Sequence, residues 1–542
     1  MRHAVVFGAL VAVGLLSAPR AEACGGFFCS QTPIDQAGER IVFGVNGSSI
    51  EAHVQIQYQG EAKKFAWVVP VQAKPTLSVG SAQLFTYLDQ VTQPRFQLQW
   101  DQSCQPLFPP GSVFGSPPME DAAPGGAGDG GVVVVSREDV GPYDAATLTA
   151  DDAVALREWL TTNGYDIPEA AGEALTPYVG NGYYFVALKL QQDKDVGDLR
   201  PIVLKSESNR PCVPIRLTAI AARPDMPIIA YVLAQKRAIP TNYRHVLINP
   251  TRVDWLGGGR NYPMVATAAV DEAGGRAFLT EFAGSSTSFA RGFKQNFGRN
   301  YDTAALSSIS HPVDFTQQML NQGFLGDSTV QGLLRKYIPM PASLVSQGVP
   351  ESQFYNFMWN YRSAIDADPG RPAFDAQGFA QALETQVVGP LKGAIALLDA
   401  HPYLTRLYTT MSAEEMTVDP DFDFNPDAPD ISNVFTAKAH YESCQQDFSQ
   451  RTVRIELPDG RFFFTKFNQP VTRGPNAERV EQYSDVGAPM LIQDNGPAIL
   501  GIIQEMGGGL ATQSCGCGAT DAGSAALLTL VLGAWSLRRR RN

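Results

Sequence analysis

Histidine is scarce, six residues in 542. Beyond an N-terminal leader the remaining five, His53, His245, His311, His401 and His440, are widely scattered. No G-x-S-x-G elbow, no H-E-x-x-H pair and no G-x-x-x-x-G-K-[ST] loop occurs, so no local motif points to serine hydrolysis, zinc proteolysis or P-loop nucleotide chemistry. Basic residues are outnumbered, 42 Lys and Arg against 54 Asp and Glu, for a net charge of −12. The first 23 residues carry +1 and the last 28 carry +3, which leaves −16 on Cys24 to Ser514. Such a surface repels phosphate backbones and anionic lipid, argues against nucleic acid as a partner and leaves cations, while also keeping an exported protein soluble. No uninterrupted apolar run reaches the roughly 20 residues that cross a bilayer, and no repeat recurs at solenoid periods.

The two ends read as addresses. Arg2, the apolar run Ala4 to Leu16 and the small residues Ala21 and Ala23 form a cleavable signal peptide over Met1 to Ala23. Acylation of Cys24 is the rival, opposed by Glu22 where lipoprotein signals favour a small residue. At the other end, Cys515-Gly516-Cys517, a polar spacer, the apolar stretch Ala522 to Leu537 and Arg538 to Arg541 follow one another. The arginines are expected to stay cytoplasmic. This layout resembles the MYXO-CTERM sorting signal of myxobacterial surface proteins, which implies processing of the tail and attachment at Cys515 or Cys517. An ordinary single-pass helix with incidental cysteines is the alternative.

Cys24, Cys29, Cys104, Cys212 and Cys444 remain between the two ends. In an oxidising compartment they are disulfide candidates, and five of them allow two internal bridges at most. Gly25 and Gly26 permit a local Cys24–Cys29 loop, and the other option joins one of this pair to a distant cysteine and staples the N-terminus to the body. A metal centre is the weaker reading, since no second close pair completes a four-ligand shell.

Pattern and composition divide the chain into a signal peptide (1–23), an N-terminal β region (24–105), a Pro/Gly-rich loop (106–131), an α+β region (132–310), a mainly helical region (311–418), an acidic loop (419–430), a C-terminal β region (431–514) and the tail (515–542). The expected class is α+β, loop-rich and disulfide-permissive: an N-terminal antiparallel-rich sheet region, a helical later segment and C-terminal β-hairpins. Asn46-Gly47 predicts the first hairpin and Pro458-Asp459-Gly460 a late one. Strands are expected at Tyr183 to Leu190, Pro201 to Lys205, Val213 to Ala221 and Ile228 to Leu233, with two more within Pro489 to Gln504. Asp151 and Asp152 open a helix that Asn163-Gly164 ends, and helical spacing runs through FAQALETQVVGPLKGAIALLDAH and LTRLYTTM.

CGGFFC at Cys24, AHVQIQYQG at Ala52, FAWVVPV at Phe65, REWLTTNGY at Arg157 and AVDEAGGRAFLTEFAG at Ala269 resemble the bacterial domain-of-unknown-function 2330 family. The resemblance implies an exported setting and brings no catalytic residues.

Three constellations hold candidate chemistry. Asp419, Asp421, Asp423, Asn425, Asp427 and Asp430 occupy positions 1, 3, 5, 7, 9 and 12 of a calcium-loop register, where alternate oxygens converge on Ca²⁺. Phe424 stands at the position that requires glycine, and Pro420 and Pro426 stiffen the turn, so a solvated acidic linker is the competing reading. Gly257-Gly258-Gly259 lacks a following helix pattern, and Asp271, Glu272 and Glu281 are surface acids on a hairpin or a carboxylate pair for glycosidic chemistry. The chain is therefore expected to be an exported protein of the cell envelope or outer surface. It would be a non-catalytic binding or structural module, anchored or processed at its tail, whose partners are the export and C-terminal processing machinery and the membrane. The alternative is a secreted hydrolase whose site assembles only in the fold.

Overall fold

The computed structural model describes residues 35–59, 66–101, 133–165, 171–191, 199–208, 210–220, 222–324, 326–442 and 450–511. The leader, the loop 106–131, the tail, and Cys24, Cys29, Cys104, Cys444, Cys515 and Cys517 lie outside these residues.

The opening hairpin forms as expected, displaced by one residue. Asp35–Asn46 pairs antiparallel with Ser49–Gln59 down to Asn46 opposite Ser49, so Gly47 and Ser48 make the turn, with Gly47 at φ +61°, a conformation free of Cβ clash only for glycine. Alternation then sorts the side chains: Ile41, Phe43 and Val45 enter one core and Val42 the other. The strand Met226–Ala234 pairs with Asp35–Asn46 in parallel and with Tyr403–Met411 antiparallel. It is apolar almost throughout because both its faces are covered.

These strands are the middle of a ten-stranded mixed sheet. Its spatial order is Met490–Asp494, Ala477–Gln482, Arg244–Ile248, Ala277–Ser285, Tyr403–Met411, Met226–Ala234, Asp35–Asn46, Ser49–Gln59, Ile202–Glu207 and Thr76–Val79. One face packs on helices drawn mainly from 287–400 together with Ala82–Thr92, through Leu84, Phe85, Phe293, Phe315, Phe379 and Leu391. The other face packs on a four-stranded sheet in the order Ala66–Val71, Tyr184–Leu190, Tyr143–Thr149, Val133–Val140, through Trp67, Val69, Val186 and Leu188. The outer face of that small sheet is closed by the helix Ala153–Thr162 with Leu156, Trp159 and Leu160, whose N-cap Asp152 accepts from the Ala155 amide at 2.8 Å. A separate five-stranded sheet, which includes Arg95–Trp100 and the hairpin Thr452–Glu456 with Arg461–Lys466, packs on Gly496–Glu505. The fold is α+β, with helices in the later segment and strands returning near the C-terminus.

Several expectations are corrected. LTRLYTTM lies in the strand Tyr403–Met411: Leu404 and Tyr408 fill one face while Leu407 and Met411 fill the other, so a central strand reproduces i, i+3, i+4, i+7 spacing. Val213 to Ala221 turns into the short helix Ile215–Thr218. Pro489 to Gln504 is one strand, Met490–Asp494, followed by the helix Gly496–Glu505. Gly274 and Gly275 end the helix Tyr262–Glu272 before the strand Ala277–Ser285, so they join helix to strand rather than two strands. The long helix splits into Ala376–Leu383, a π turn Glu384–Val388 and Gly389–Ala400. Pro390 has no amide hydrogen for the Gln386 carbonyl four residues back, and Arg200 Nη1 donates to that oxygen at 3.2 Å.

A charged cluster joins the helical layer to the sheet. Arg406, with 5% of its side chain exposed, donates through Nε to Glu281 Oε2 at 2.5 Å and through Nη1 to Asp89 Oδ1 at 2.8 Å and Tyr231 Oη at 3.0 Å. Tyr262 Oη donates to Glu281 Oε1 at 2.7 Å. Removing one member strands the other charges in low dielectric. Arg406→Leu is expected to cost about 3–5 kcal/mol, whereas Asp89→Asn, at the wetter edge of the cluster, should cost about 1 kcal/mol. Urea denaturation of both variants checks this ranking, and equal losses would contradict it.

Candidate functional site

Among the described residues, a concave feature lies between the ten-stranded and four-stranded sheets. Its empty space, with the open solvent at its mouth included, is about 720 Å³. Period-two alternation builds its floor: Ile41 and Phe43 from one strand, Ile50, Ala52 and Val54 from the next, and Leu204 beyond them, opposed by Trp67 and Val69 of the small sheet. Polar groups gather at one end, where Glu39, Gln72, Tyr178, Tyr183, Ser206, Ser208, Arg210, Cys212 and Asp419 complete the lining.

Backbone pairing sets that end. Cys212 bridges Asp421 antiparallel, the Val213 amide donates to the Pro420 carbonyl at 3.1 Å and the Phe422 amide to the Pro211 carbonyl at 2.9 Å. The two segments are thereby zipped together and bring Asp419 and Cys212 to one wall. Tyr178, 2% exposed, donates its hydroxyl to Asp419 Oδ2 at 2.6 Å, and the Arg216 amide donates to Asp419 Oδ1 at 3.1 Å. Burial pushes the Asp419 carboxyl above its ordinary range, against the opposing pull of Tyr178 and Arg216. Burial, reinforced by Asp419, pushes the Tyr178 hydroxyl far up, and burial together with Asp419 and Asp421 does the same to the Cys212 thiol. Cys212 is a free thiol. A thiol displaced in this direction is a weak nucleophile, since the thiolate is the reactive form. The wall is suited to hydrogen bonding and packing.

The structure disperses the calcium-loop residues. Asp419 belongs to the cavity wall, and Asp423 pairs with Arg210 at 3.2 Å on the short strand Phe422–Phe424. Asp421 holds Cys212 through the backbone and accepts a hydrogen bond from its thiol, and its own amide donates to Asn242 Oδ1 at 2.8 Å. Asn425 is fully buried; its Oδ1 accepts from the Asp427 amide at 2.8 Å and the Ala428 amide at 3.0 Å. Asp427 accepts from the Gly487 amide, and Asp430 from Tyr403 Oη. Among the described residues no group of three or more His, Cys, Asp and Glu side chains is arranged to hold a metal ion.

Other candidates also find structural partners. Contrary to the sequence reading, a helix does follow the glycine run 257–259, namely Tyr262–Glu272. The amides of Gly257, Gly258 and Gly259 are nevertheless spent on Asp254 and Trp255 carbonyls, and the Asp254 carboxylate caps the turn at Gly257 and binds Arg260 at 2.7 Å, leaving no cradle for an anion. Glu281 is committed to Arg406, and Glu272 accepts from the Asn476 and Ala477 amides, so with Asp271 exposed these acids form no facing pair. His53 meets Glu51, His311 meets Asp366, and His401 Nδ1 contacts the Leu397 carbonyl.

Two arrangements escaped the sequence. The cavity wall unites residues 39, 178, 212 and 419, which share no local pattern. The second is a chain of contacts from Thr280 Oγ1 to His245 Nε2 at 3.0 Å and from His245 Nδ1 to Glu481 Oε2 at 3.4 Å. Arg237 Nη2 also donates to Thr280 Oγ1 at 3.1 Å, and burial pushes His245 down.

The family described as uncharacterized protein conserved in bacteria, DUF2330, matches residues 18–301, just over half of the chain. No curated protein matches the sequence, and no solved structure matches the fold.

Because the folded state raises the Asp419 carboxyl above its ordinary value of 3.8, folded protein holds this proton more tightly than unfolded chain. The group's contribution to stability is complete below the unfolded value and is lost as pH rises through the folded one. The stability of the wild type minus that of Asp419→Asn should therefore fall as pH rises above the ordinary carboxyl value of 3.8. Denaturant titrations of both proteins at steps of pH measure this difference, and a flat or rising difference would be inconsistent with burial as the dominant influence.

Proposed function

This chain belongs to the DUF2330 family of uncharacterised proteins conserved in bacteria, and we propose that it is exported and held at the cell envelope or outer surface as a non-catalytic binding or structural module. The observation that carries the non-catalytic part is the state of the inter-sheet wall. Burial drives Tyr178, Cys212 and Asp419 toward their protonated, uncharged forms, whereas nucleophilic catalysis calls for an activated group.

Export rests on the ends of the chain. The three-part leader over Met1 to Ala23 directs translocation, and the MYXO-CTERM-like tail with Cys515 or Cys517 is the point of processing and attachment. Among the described residues no helix is long and apolar enough to cross a membrane, so on this reading membrane contact runs through the tail. The charge of −16 between the two addresses disfavours nucleic acid as a partner.

One observation favours a second reading, a secreted hydrolase. Glu481, His245 and Thr280 stand in the order orienting acid, base and hydroxyl. Against it, the Arg237 guanidinium shares the Thr280 hydroxyl. Ester or peptide hydrolysis by purified protein that disappears in Thr280→Val would select this reading over the first.

Intact-mass analysis of the envelope-associated protein tests the export reading. The expected mature form begins at Cys24 and lacks Arg538 to Arg541. A cytoplasmic chain that retains both ends would refute it.

A further inference from the structure

A second cleft opens among the helices that cover the long sheet, where the helix Ala82–Thr92 begins. Ser81, Gln83, Tyr301, Phe324, Asp327 and Leu391 help to line it, and its empty space, with the open solvent at its mouth included, is about 400 Å³. We propose that this cleft binds a free α-amino acid with an apolar side chain, its carboxylate on the amino end of the helix with the Ser81 hydroxyl and its ammonium on Asp327. The proposal rests neither on the export reading nor on the inter-sheet wall.

The carboxylate end is marked by donors that the protein leaves unused. Ser81 has the extended backbone of an N-cap, φ −98° and ψ 122°, yet its side chain makes no capping hydrogen bond, nor any other among the described residues. The residue is only 6% exposed, so its hydroxyl is left with neither a protein partner nor ready access to bulk water. A buried hydroxyl in that state costs stability that a ligand oxygen would restore. The Leu84 amide turns back to the Ser81 carbonyl at 3.2 Å, while the Ala82 and Gln83 amides come too early in the helix to find a carbonyl four residues back. No acidic residue lies in the first turn, so the helix start keeps its partial positive charge. Amides and a hydroxyl gathered at one helix start suit the two oxygens of a carboxylate.

Asp327 supplies the opposite end. Among the described residues it is the one charged group of the lining. Its Oδ1 accepts from the Val330 amide at 2.9 Å and so caps the helix Ser328–Tyr337, while Oδ2 accepts from Gln83 Nε2 at 3.0 Å. Each oxygen retains a lone pair for an ammonium donor. Because Gln83 belongs to the first turn of the helix Ala82–Thr92, its side chain sets the spacing between the positive and negative ends of the cleft. A phosphate dianion would meet Asp327 and a bare amine would meet the helix start, whereas a zwitterion satisfies both.

The remaining walls fit an apolar side chain. Tyr301 and Phe324 lie with ring centroids 4.7 Å apart, and Val387, Pro390 and Leu391 complete the lining with them. Gln386 and Val387 enter it from the π turn Glu384–Val388. Such turns are rare and recur at functional sites, and here the interruption of the long helix coincides with the cleft.

Isothermal titration calorimetry of the full chain with L-valine tests the site, beside N-acetyl-L-valine, which lacks the ammonium, L-valinamide, which lacks the carboxylate, and inorganic phosphate. L-Valine should bind, and each of the others should bind about tenfold more weakly or not at all, since each forfeits a charge-assisted hydrogen bond. Ser81→Ala deletes a hydroxyl that has no partner in the protein, so its urea midpoint without ligand should match wild type while its affinity for L-valine falls several-fold. Asp327→Asn keeps a capping oxygen and should bind L-valine about tenfold more weakly. Absence of heat with L-valine, an equal or greater affinity for any of the other three compounds, or wild-type affinity in either variant would overturn the proposal. A lowered urea midpoint in Ser81→Ala would do the same, by giving the hydroxyl a structural role.

Discussion

A single buried guanidinium ties the layers together. Arg406 sits in a strand at the centre of the long sheet, and its nitrogen atoms reach Glu281 on the adjacent strand, Asp89 on a helix and Tyr231 on the strand at its other side. A charge in that position is tolerated only while every donor finds an acceptor. The helix Ala82–Thr92 must therefore stay docked on the face that holds Arg406, and Tyr262 fixes the helix Tyr262–Glu272 through the other oxygen of Glu281. Apolar packing supplies most of the attraction between these layers, whereas the cluster dictates one relative placement among the many that apolar packing would accept.

The opposite face of the same sheet obeys a different rule. There the contact with the small sheet is left unfilled over Ile41, Phe43 and Ala52, and the one end that carries polar groups is set by the backbone zipper of residues 211–213 with 420–422. The sequence marked 419–430 as a run of oxygen donors. In the fold this run is an edge segment whose side chains serve Tyr178, Arg210, Gly487 and Tyr403 in turn.

Legibility followed the range of the interactions. The first hairpin, the capped helix at Asp152 and the late hairpin around Gly460 depend on neighbours a few residues away, and turn or cap chemistry gave them correctly. Tyr403–Met411 was read as a helix because a strand apolar on both faces carries the same spacing as one helical face; only its neighbours in the sheet settle the matter. The helix Ala82–Thr92 has Ser81 at its N-cap without a side-chain hydrogen bond and no acidic residue in its first turn, so the usual start signals are weak. The candidate site was least legible, since Glu39, Tyr178, Cys212 and Asp419 come from four distant stretches and meet through the stacking of two sheets and the backbone zipper of 211–213 with 420–422. The acidic run was visible as a string of carboxylates, but the partner each would take depended on contacts up to 241 residues away.

The proline at 390 has a consequence beyond the helix it interrupts. Pro390 offers no amide to the Gln386 carbonyl four residues back, and Arg200 donates to that oxygen; the carbonyl and amide of Arg200 are both held by the Tyr143 hydroxyl of the small sheet. A defect on one side of the molecule is thus wired to a tyrosine on the other, past the edge of the long sheet. Arg200 bridges the interrupted helix and the small sheet, so layers that share no face are joined by polar contacts as well as through the core.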